Sequence, residues 1–191
     1  GRTTRRASSM WGDPRIWWGF GLSAVGFGLF LLIAKKGVQI AMTTGEAWRG
    51  GVPLGFITLK SVGKSADSGK LVYLETSRAD AFLAMQAEAL KSGVKLLPNS
   101  GFRTMVEQTA MYAAYLARLK RSPKIAIPGT SNHQDGTAID IKIPPAGTPP
   151  NSEERKASKE YRWLVANANR FGFYNAINST GETWHWSSTG R

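Results

Sequence analysis

The stretch Ser131-Asn132-His133-Gln134-Asp135-Gly136-Thr137-Ala138-Ile139-Asp140 sets a histidine and an aspartate on either side of a glycine. Gly136 permits a backbone turn that most residues resist, because it has no Cβ atom. The three residues that follow, Thr137-Ala138-Ile139, indicate a short buried strand. Turn and strand together would carry Asp140 back toward His133, so the pattern predicts that these two side chains lie close together.

The second motif lies near the C-terminus, at Glu182-Thr183-Trp184-His185-Trp186, and contains the other of the chain's two histidines. A catalytic zinc ion takes three protein ligands from His, Asp, Glu or Cys and leaves a fourth position for water. His133, Asp140 and His185 supply such a set, and Glu182 can act as the base that handles the water's proton. The flanking tryptophans would keep the site partly dry. An isolated histidine is more often an ordinary hydrogen-bonded residue, so residue types alone leave both interpretations open.

Together the two motifs resemble the zinc D-Ala-D-Ala carboxypeptidase family, the VanY-like peptidases, which is grouped with lysostaphin-type enzymes and the hedgehog signalling domain. The matching positions are Ser131, His133, Gly136, Ala138, Asp140, Glu182, Trp184 and His185. Upstream, Ser100-Gly101-Phe102-Arg103 and Gln108 resemble the family's Ser-Gly-Tyr-Arg…Gln segment, with Phe102 in place of the more usual Tyr. The resemblance covers roughly residues 70–188. It implies an α+β fold of the hedgehog/DD-peptidase type, in which helices flank a small antiparallel sheet.

The resemblance also implies a function: a zinc peptidase domain at residues 70–191 that hydrolyses peptide bonds in peptidoglycan stem peptides. The expected Zn²⁺ ligands are His133, Asp140 and His185. The expected catalytic residues are Glu182, as the base, and Arg103, which would hold the charge that develops on oxygen. The expected substrate-binding residues are Ser131, Gln108 and Arg103. Carboxypeptidase and endopeptidase both stay open, as do two alternatives: a hydrolase carried by a phage tail or phage-like particle, and a non-catalytic cell-wall-binding module with the same fold.

Arg103 lies just before a predicted helix, a location that suits anion binding. Thr104 and the glutamate three residues later form a capping-box pattern, and the helix is predicted to run to about Lys120. The free backbone N–H groups at its N-terminus would add to the charge of the guanidinium, which grips a carboxylate with a bidentate geometry that lysine cannot copy. Without the resemblance, a surface arginine is the ordinary interpretation. Another helix is predicted from Ser77, as its N-cap, to Gly93.

Composition adds a constraint on partners. The chain has 191 residues, no cysteine and a formal net charge of +12. The lack of cysteine excludes a thiolate metal site, and the charge predicts an acidic partner such as nucleic acid, anionic lipid or a cell-wall polymer. The basic cluster before the first motif has no interleaved aromatic residues, which a stacking platform would need, so no nucleic-acid partner is expected. This cluster consists of Arg118, Lys120, Arg121 and Lys124.

Residues 1–36 differ from the rest of the chain. Four arginines precede an uncharged run at 16–34, which as a helix with ~1.5 Å rise would span about 28 Å, close to the thickness of a bilayer core. We predict a transmembrane helix there, in contact with membrane lipid, that anchors the protein in the inner membrane of the cell envelope with its catalytic domain outside the cytoplasm. An uncleaved secretory signal, or an apolar helix buried in a larger assembly such as a virion, is an alternative. Residues 37–69 are predicted as a Gly-rich connector with one short strand at 56–59.

Overall fold

The computed structural model describes residues 31–35, 38–118, 125–149, 151–175 and 181–190. In this part of the chain the strands are β1 (Leu31–Lys35), β2 (Val38–Arg49), β3 (Val52–Lys64), β4 (Leu71–Glu75), β5 (Pro98–Ser100), β6 (Ala138–Ile141), β7 (Tyr174–Asn175) and β8 (His185–Ser187). The helices are α1 (Thr76–Lys91), α2 (Met105–Ala117), α3 (Glu153–Ala157) and α4 (Lys159–Asn167), followed by a 3₁₀ turn at Ala168–Phe171. The architecture is α+β, with small antiparallel sheets and flanking helices, as predicted.

The strands form two four-stranded sheets. We call the sheet with the order β1-β2-β3-β4 the N-terminal sheet and the sheet with the order β5-β6-β8-β7 the C-terminal sheet. In the C-terminal sheet β6 pairs antiparallel with β8, and the register sets Asp140 opposite His185 and Ile139 opposite Trp186. On its other side β6 pairs with β5, where Ser100 lies opposite Asp140. The sheet therefore brings together motifs that lie far apart in the sequence.

The N-terminal sheet corrects the prediction for residues 37–69. Instead of a connector, this stretch forms β2 and β3, a hairpin with strands of 12 and 13 residues. Gly50 and Gly51 make its turn with φ values of 59° and 84°, and positive φ at both central residues is what a type I′ turn requires. Gly63 lies at a register shift in the pairing of β3 with β4, as is typical of a β-bulge. The glycines therefore shape the strands here and do not separate two structural units.

The predicted transmembrane helix at 16–34 lies mostly outside the described residues. Its last four residues belong to β1, which pairs antiparallel with β2 so that Leu31 lies opposite Met42. A short apolar run fits a strand as well as a helix, since hydrophobic periodicity alone does not separate the two. Within the described ranges, none of the helices combines the length and the apolar character that crossing a bilayer requires.

One hydrophobic core joins both sheets to α1 and α4. Leu74 of β4, Phe82 and Met85 of α1, and Ile139 of β6 are all completely buried in it. Phe82 also meets the ring of Phe173 edge-on, with the ring centroids 6.2 Å apart. Because the same residues hold α1 and β6 in place, this core fixes the strand that carries Asp140.

The two predicted helix starts had different outcomes. The capping box of α2 is present: the Thr104 side chain accepts from the backbone of Glu107, and the Glu107 side chain accepts from the backbone of Thr104. At α1 the predicted cap, Ser77, is wrong. Glu75 caps that helix, because its carboxylate reaches the backbone N–H groups of Ser77 and Arg78 at 3.0 and 3.3 Å.

Candidate active site

Three side chains converge at one point between the two sequence motifs. His133 Nε2 lies 3.2 Å from His185 Nδ1 and 3.3 Å from Asp140 Oδ1. The third side of the triangle, from His185 Nδ1 to Asp140 Oδ1, measures 2.9 Å. Ligands 2.0–2.1 Å from a tetrahedral zinc ion stand about 3.3 Å from one another. The spacing of these atoms therefore fits three corners of a tetrahedral site for a metal ion, and the donor set is one that zinc accepts.

The hydrogen bonds of His133 fix which of its ring nitrogens faces the other two ligands. Its Nδ1 lies 2.7 Å from the carbonyl oxygen of Gly101, and because a carbonyl only accepts, Nδ1 donates. The lone pair of a neutral imidazole is then on Nε2, the atom that faces His185 and Asp140. Histidine ligands of metals are held in the same way, by a donated bond from the second nitrogen. Lone pairs that converge so closely favour a cation among them.

The loop before β6 holds His133 in this position. Gly136 adopts a left-handed conformation with φ of 74°, which only glycine adopts without cost. A Cβ atom there would lie 2.8 Å from the backbone nitrogen of Glu75, so the loop also passes too close to β4 for any larger residue. The carbonyl of His133 accepts from the backbone N–H of Arg103 at 3.0 Å. The predicted glycine turn is therefore the element that presents His133.

Burial and charge set the protonation states of the ligands. Burial lowers the pKa of the His133 imidazole, an effect that the charge of Asp140 opposes without reversing it. Burial alone would raise the pKa of the Asp140 carboxyl, but its interactions with His133 and His185 outweigh that effect and hold this pKa below its ordinary value. The folded protein therefore favours a neutral His133 and an ionised Asp140, the forms that bind a metal ion.

Arg103 lies at the N-terminus of α2, and only 13% of its side chain is exposed. Its guanidinium donates to Gln108 Oε1 at 2.8 Å and to Ser100 Oγ at 3.2 Å. It also lies 3.9 Å from Asp140 Oδ2. Burial lowers the pKa of Arg103, and nearby carboxylates, including that of Glu182, oppose the shift; a guanidinium stays charged in any case. A fixed positive charge therefore stands beside the three ligands.

The Gln108 side chain is hydrogen-bonded to Arg103 and does not line the cavity. The residue is completely buried, its Oε1 accepts from Arg103, and its Nε2 donates to the carbonyl of Ala126 at 2.7 Å. The substrate contact that the sequence predicts for Gln108 stays a prediction. The geometry favours a positioning role instead, because both halves of the amide already have protein partners.

The three ligands lie in a cavity of about 460 Å³, within the roughly 300–1,000 Å³ typical of ligand pockets. Glu182, Arg103 and Ser131, all predicted from sequence, line it. Ser131 is also tied to the loop, because its Oγ accepts from the backbone N–H of His133 at 3.3 Å. The cavity therefore brings together three side chains that could hold a metal ion, a carboxylate, a guanidinium and a hydroxyl.

Sequence reasoning missed one side of this cavity. Arg49 and Gly50, at the tip of the β2–β3 hairpin, line it together with Asn132 and Met111. The available signal was the Gly50-Gly51 pair, which is a hairpin signature when strands flank it. We expected a connector there, so nothing in the sequence pointed Arg49 toward the site.

Comparisons with known proteins agree with this geometry. A D-alanyl-D-alanine carboxypeptidase of Enterococcus faecalis (strain ATCC 700802 / V583) is 30% identical over 131 residues, which cover 58% of this chain and 45% of that protein. The putative carboxypeptidase YodJ of Bacillus subtilis (strain 168) is 31% identical over 104 residues, covering 53% and 38%. This chain thus spans less than half the length of either relative.

Among solved structures, that of the LdcB LD-carboxypeptidase is 27% identical, with a TM-score of 0.54, and the match covers 65% of this chain and 64% of that one. The family model for VanY, described as D-alanyl-D-alanine carboxypeptidase, matches residues 71–191. That match takes in more than half of the chain and all three converging side chains. The chain therefore belongs to the VanY family of D-alanyl-D-alanine carboxypeptidases.

Proposed function

We propose that this protein is a zinc-dependent peptidase that removes a C-terminal D-amino acid from peptidoglycan stem peptides. The observation that carries the proposal is the triangle of His133 Nε2, His185 Nδ1 and Asp140 Oδ1, with sides of 3.2, 2.9 and 3.3 Å, inside a cavity that also holds Glu182 and Arg103. Family membership supports the substrate class, since the E. faecalis relative is a D-alanyl-D-alanine carboxypeptidase.

Each residue has a distinct part in the proposed reaction. His133, Asp140 and His185 hold the metal; zinc bound there polarises a carbonyl oxygen and makes water more acidic. Glu182 removes a proton from the attacking water and passes it to the nitrogen of the leaving amine, so that one carboxylate serves both proton transfers. Arg103 places its charge where oxygen becomes negative or where the peptide ends in a carboxylate. The Ser131 hydroxyl orients the peptide at the cavity wall.

A second cavity bears on the choice between carboxypeptidase and endopeptidase. It measures about 320 Å³, shares Asp140 and Trp184 with the first, and includes Lys142. Binding space that continues beyond Asp140 and Trp184 would accommodate a longer peptide, as an endopeptidase requires. The buried charge of Arg103 favours a substrate that ends in a carboxylate, and for that reason we place carboxypeptidase first.

The test is hydrolysis of a matched pair of acylated peptides, one ending in D-Ala-D-Ala and the other in L-Ala-L-Ala, with products weighed by mass spectrometry. We expect release of a single D-alanine from the first peptide, loss of activity in a chelator, and recovery on addition of zinc. Glu182→Gln should lower kcat by about 10²–10⁴-fold while its zinc content stays at the wild-type level.

Glu88→Gln is the matched control, because Glu88 lies on α1 and forms a surface salt bridge with Lys91, and it does not line the cavity. It should behave as the wild type does. Full activity in the chelator, or a Glu182→Gln variant as active as the control, would overturn the proposed mechanism. Cleavage inside a longer peptide without release of free alanine would move the assignment to endopeptidase.

A further inference from the structure

We propose that the tip of the β2–β3 hairpin completes the substrate cleft and that Arg49 there binds a second carboxylate of the peptide, one that is not at its C-terminus. This inference rests on the proposed function and names a feature of its substrate. The hairpin at 38–64 lies entirely outside the family match at 71–191. The family match therefore assigns no role to this hairpin.

The hairpin tip is fixed to the loop that presents His133. The backbone N–H of Trp48 donates to the carbonyl of Gln134 at 3.0 Å, and that of Gly51 donates to the carbonyl of Gly129 at 2.9 Å. The two backbones are also very close, because a Cβ atom on Gly129 would lie 3.2 Å from the Cα atom of Gly51. The tip and the metal-binding loop thus form one wall, and a side chain on the tip keeps its position relative to the metal ligands.

Arg49 is held on this wall by one edge of its guanidinium. Its Nε donates to Asp135 Oδ2 at 2.8 Å, and the Asp135 side chain is only 6% exposed. The other oxygen of Asp135 accepts from the backbone and the hydroxyl of Thr137 at 3.1 and 2.6 Å, so the carboxylate itself is firmly oriented. Among the described residues, the two terminal nitrogens of Arg49 have no hydrogen-bond partner, and 64% of the side chain is exposed.

These contacts leave a charged pair of donors at the mouth of the cavity, with the stem of the side chain already oriented. A guanidinium with both terminal nitrogens available binds a carboxylate in a bidentate way. Because the anchoring bond is made before substrate arrives, less side-chain entropy is lost on binding than a loose surface arginine would lose. The terminal nitrogens of Arg49 are thus suited to bind an anionic group of the substrate.

Arg49 does not duplicate Arg103. Arg103 is buried beside Asp140 and already donates to Gln108 and Ser100, so it suits the group next to the scissile bond. Arg49 lines the same cavity and is far more exposed, at 64% of its side chain against 13% for Arg103. Two guanidinium groups at different depths match a peptide with two anionic groups: one at the reacting end and one on an acidic residue further along the chain.

The experiment compares two D-Ala-D-Ala peptides that are identical except at one glutamyl residue, whose carboxylate is free in one peptide and amidated in the other. A short series moves that residue along the peptide, since its best position is unknown. The wild type should hydrolyse both forms, with kcat/KM higher for the free carboxylate by about tenfold to a hundredfold, the range for a hydrogen bond between charged groups. Arg49→Gln should remove that preference mainly through KM.

Two further variants separate recognition from damage to the loop. Arg49→Lys keeps a cation for Asp135 but loses the planar pair of donors, so it should retain zinc and still lose most of the preference. Lys64→Gln, at the far end of the same hairpin and also exposed to solvent, is the charge-matched control and should keep the wild-type preference.

The outcomes distinguish this inference from the proposed function. If the wild type hydrolyses both peptides equally at every position of the glutamyl residue, Arg49 does not read a carboxylate, although the peptidase assignment stands. An equal loss on both peptides in Arg49→Gln, together with a loss of zinc, would show that Arg49 only supports Asp135. If the wild type hydrolyses neither peptide, the proposed function fails and this inference fails with it.

Discussion

The two sheets of this protein differ in the length of their strands and in how deeply those strands are buried. The N-terminal sheet has strands of up to 13 residues, and its β3 leaves Val52, Leu54 and Phe56 at 60%, 48% and 66% exposure. The C-terminal sheet has strands of two to four residues, yet all three residues of β8 are buried. The comparison shows that the sheet with short, largely buried strands carries Asp140 and His185. The sheet with long strands contributes exposed residues at the edge of the same cavity.

The sharpest test of this comparison changes Asp140 in the C-terminal sheet and, as a control, Asp80 of α1, which pairs with Lys60 of the N-terminal sheet. Asp140→Ala removes a ligand from the C-terminal sheet and leaves the two imidazoles without their anionic partner. We expect zinc affinity and hydrolysis to fall by more than the roughly 10–100-fold that losing an outer-shell partner costs. Asp80→Ala, which removes only an exposed pairing with Lys60, should leave both unchanged. Zinc titration and peptide hydrolysis check both variants, and equal losses would contradict the assignment of Asp140.

The next largest effect concerns the place where the two sheets touch. Gly101 passes so close to β4 that an added Cβ atom would collide with the carbonyl oxygen of Tyr73, which is backbone and has no rotamer to change. We expect Gly101→Ala to lower the free energy of unfolding by about 1–3 kcal/mol, the usual cost of overpacking. Zinc affinity should also fall, because the Gly101 carbonyl accepts from His133.

Gly45→Ala is the matching substitution in β2 of the N-terminal sheet, where Gly45 packs against Phe102, the residue next to Gly101. Its Cβ atom would meet ring atoms of Phe102 at 2.6 Å and a methyl group of Leu59 at 2.8 Å. Both neighbours are side chains that can shift, so the loss should be smaller than for Gly101→Ala and should spare zinc binding. Urea denaturation of both variants measures the order, and a larger loss at Gly45 would show that the N-terminal sheet is the stricter of the two.

Much of the site could be predicted from the sequence, because its chemistry is concentrated in a few residue types. With only two histidines in the chain and the aspartate that closes the first motif, the three converging residues and their glutamate could be named before the fold was known. The short strand that carries Asp140 and the capping box of α2 also follow from local patterns. These features depend on neighbours within a few residues, which is the range over which sequence patterns are informative.

The remainder depends on contacts between distant segments. The β2–β3 hairpin exposes apolar side chains at alternate positions, so its pattern does not separate an inner from an outer face in the usual way. Arg49 reaches the cavity only because backbone bonds from Trp48 and Gly51 fix the tip to the His133 loop. From the sequence, Gln108 is compatible with a surface position on a helix. The structure shows that its amide is hydrogen-bonded to Arg103 and to the carbonyl of Ala126. No local pattern carries that information.

A third prediction concerns Gln108, which lies on α2 and accepts a hydrogen bond from Arg103, beside Asp140 of the C-terminal sheet. Gln108→Met preserves volume and leaves the Arg103 guanidinium and the Ala126 carbonyl each without one partner. We expect kcat/KM to fall about tenfold, at the lower end of what an unsatisfied buried group costs, with zinc content unchanged. Gln86→Met is the matched control, since Gln86 also donates to a backbone carbonyl, that of Leu96, but on α1. An unaffected Gln108→Met enzyme would show that Arg103 needs no support.

The smallest expected effect is a loss of stability in acid, and the C-terminal sheet should be its source. In the metal-free protein the pKa of His133 lies below the 6.5 of an ordinary histidine, so the unfolded chain binds the proton more readily than the folded one. The contribution of His133 to the free energy of unfolding is therefore complete well above pH 6.5. It declines as the pH falls through 6.5 toward the lowered pKa of the folded state. Asp140 acts in the same direction only as the pH falls through its ordinary value of 3.8. The decline that begins as the pH falls through 6.5 should therefore include the contribution of His133 and none from Asp140. Urea denaturation in a chelator measures it, and His133→Gln should flatten the dependence; an equally steep decline in that variant would mean that acid acts elsewhere.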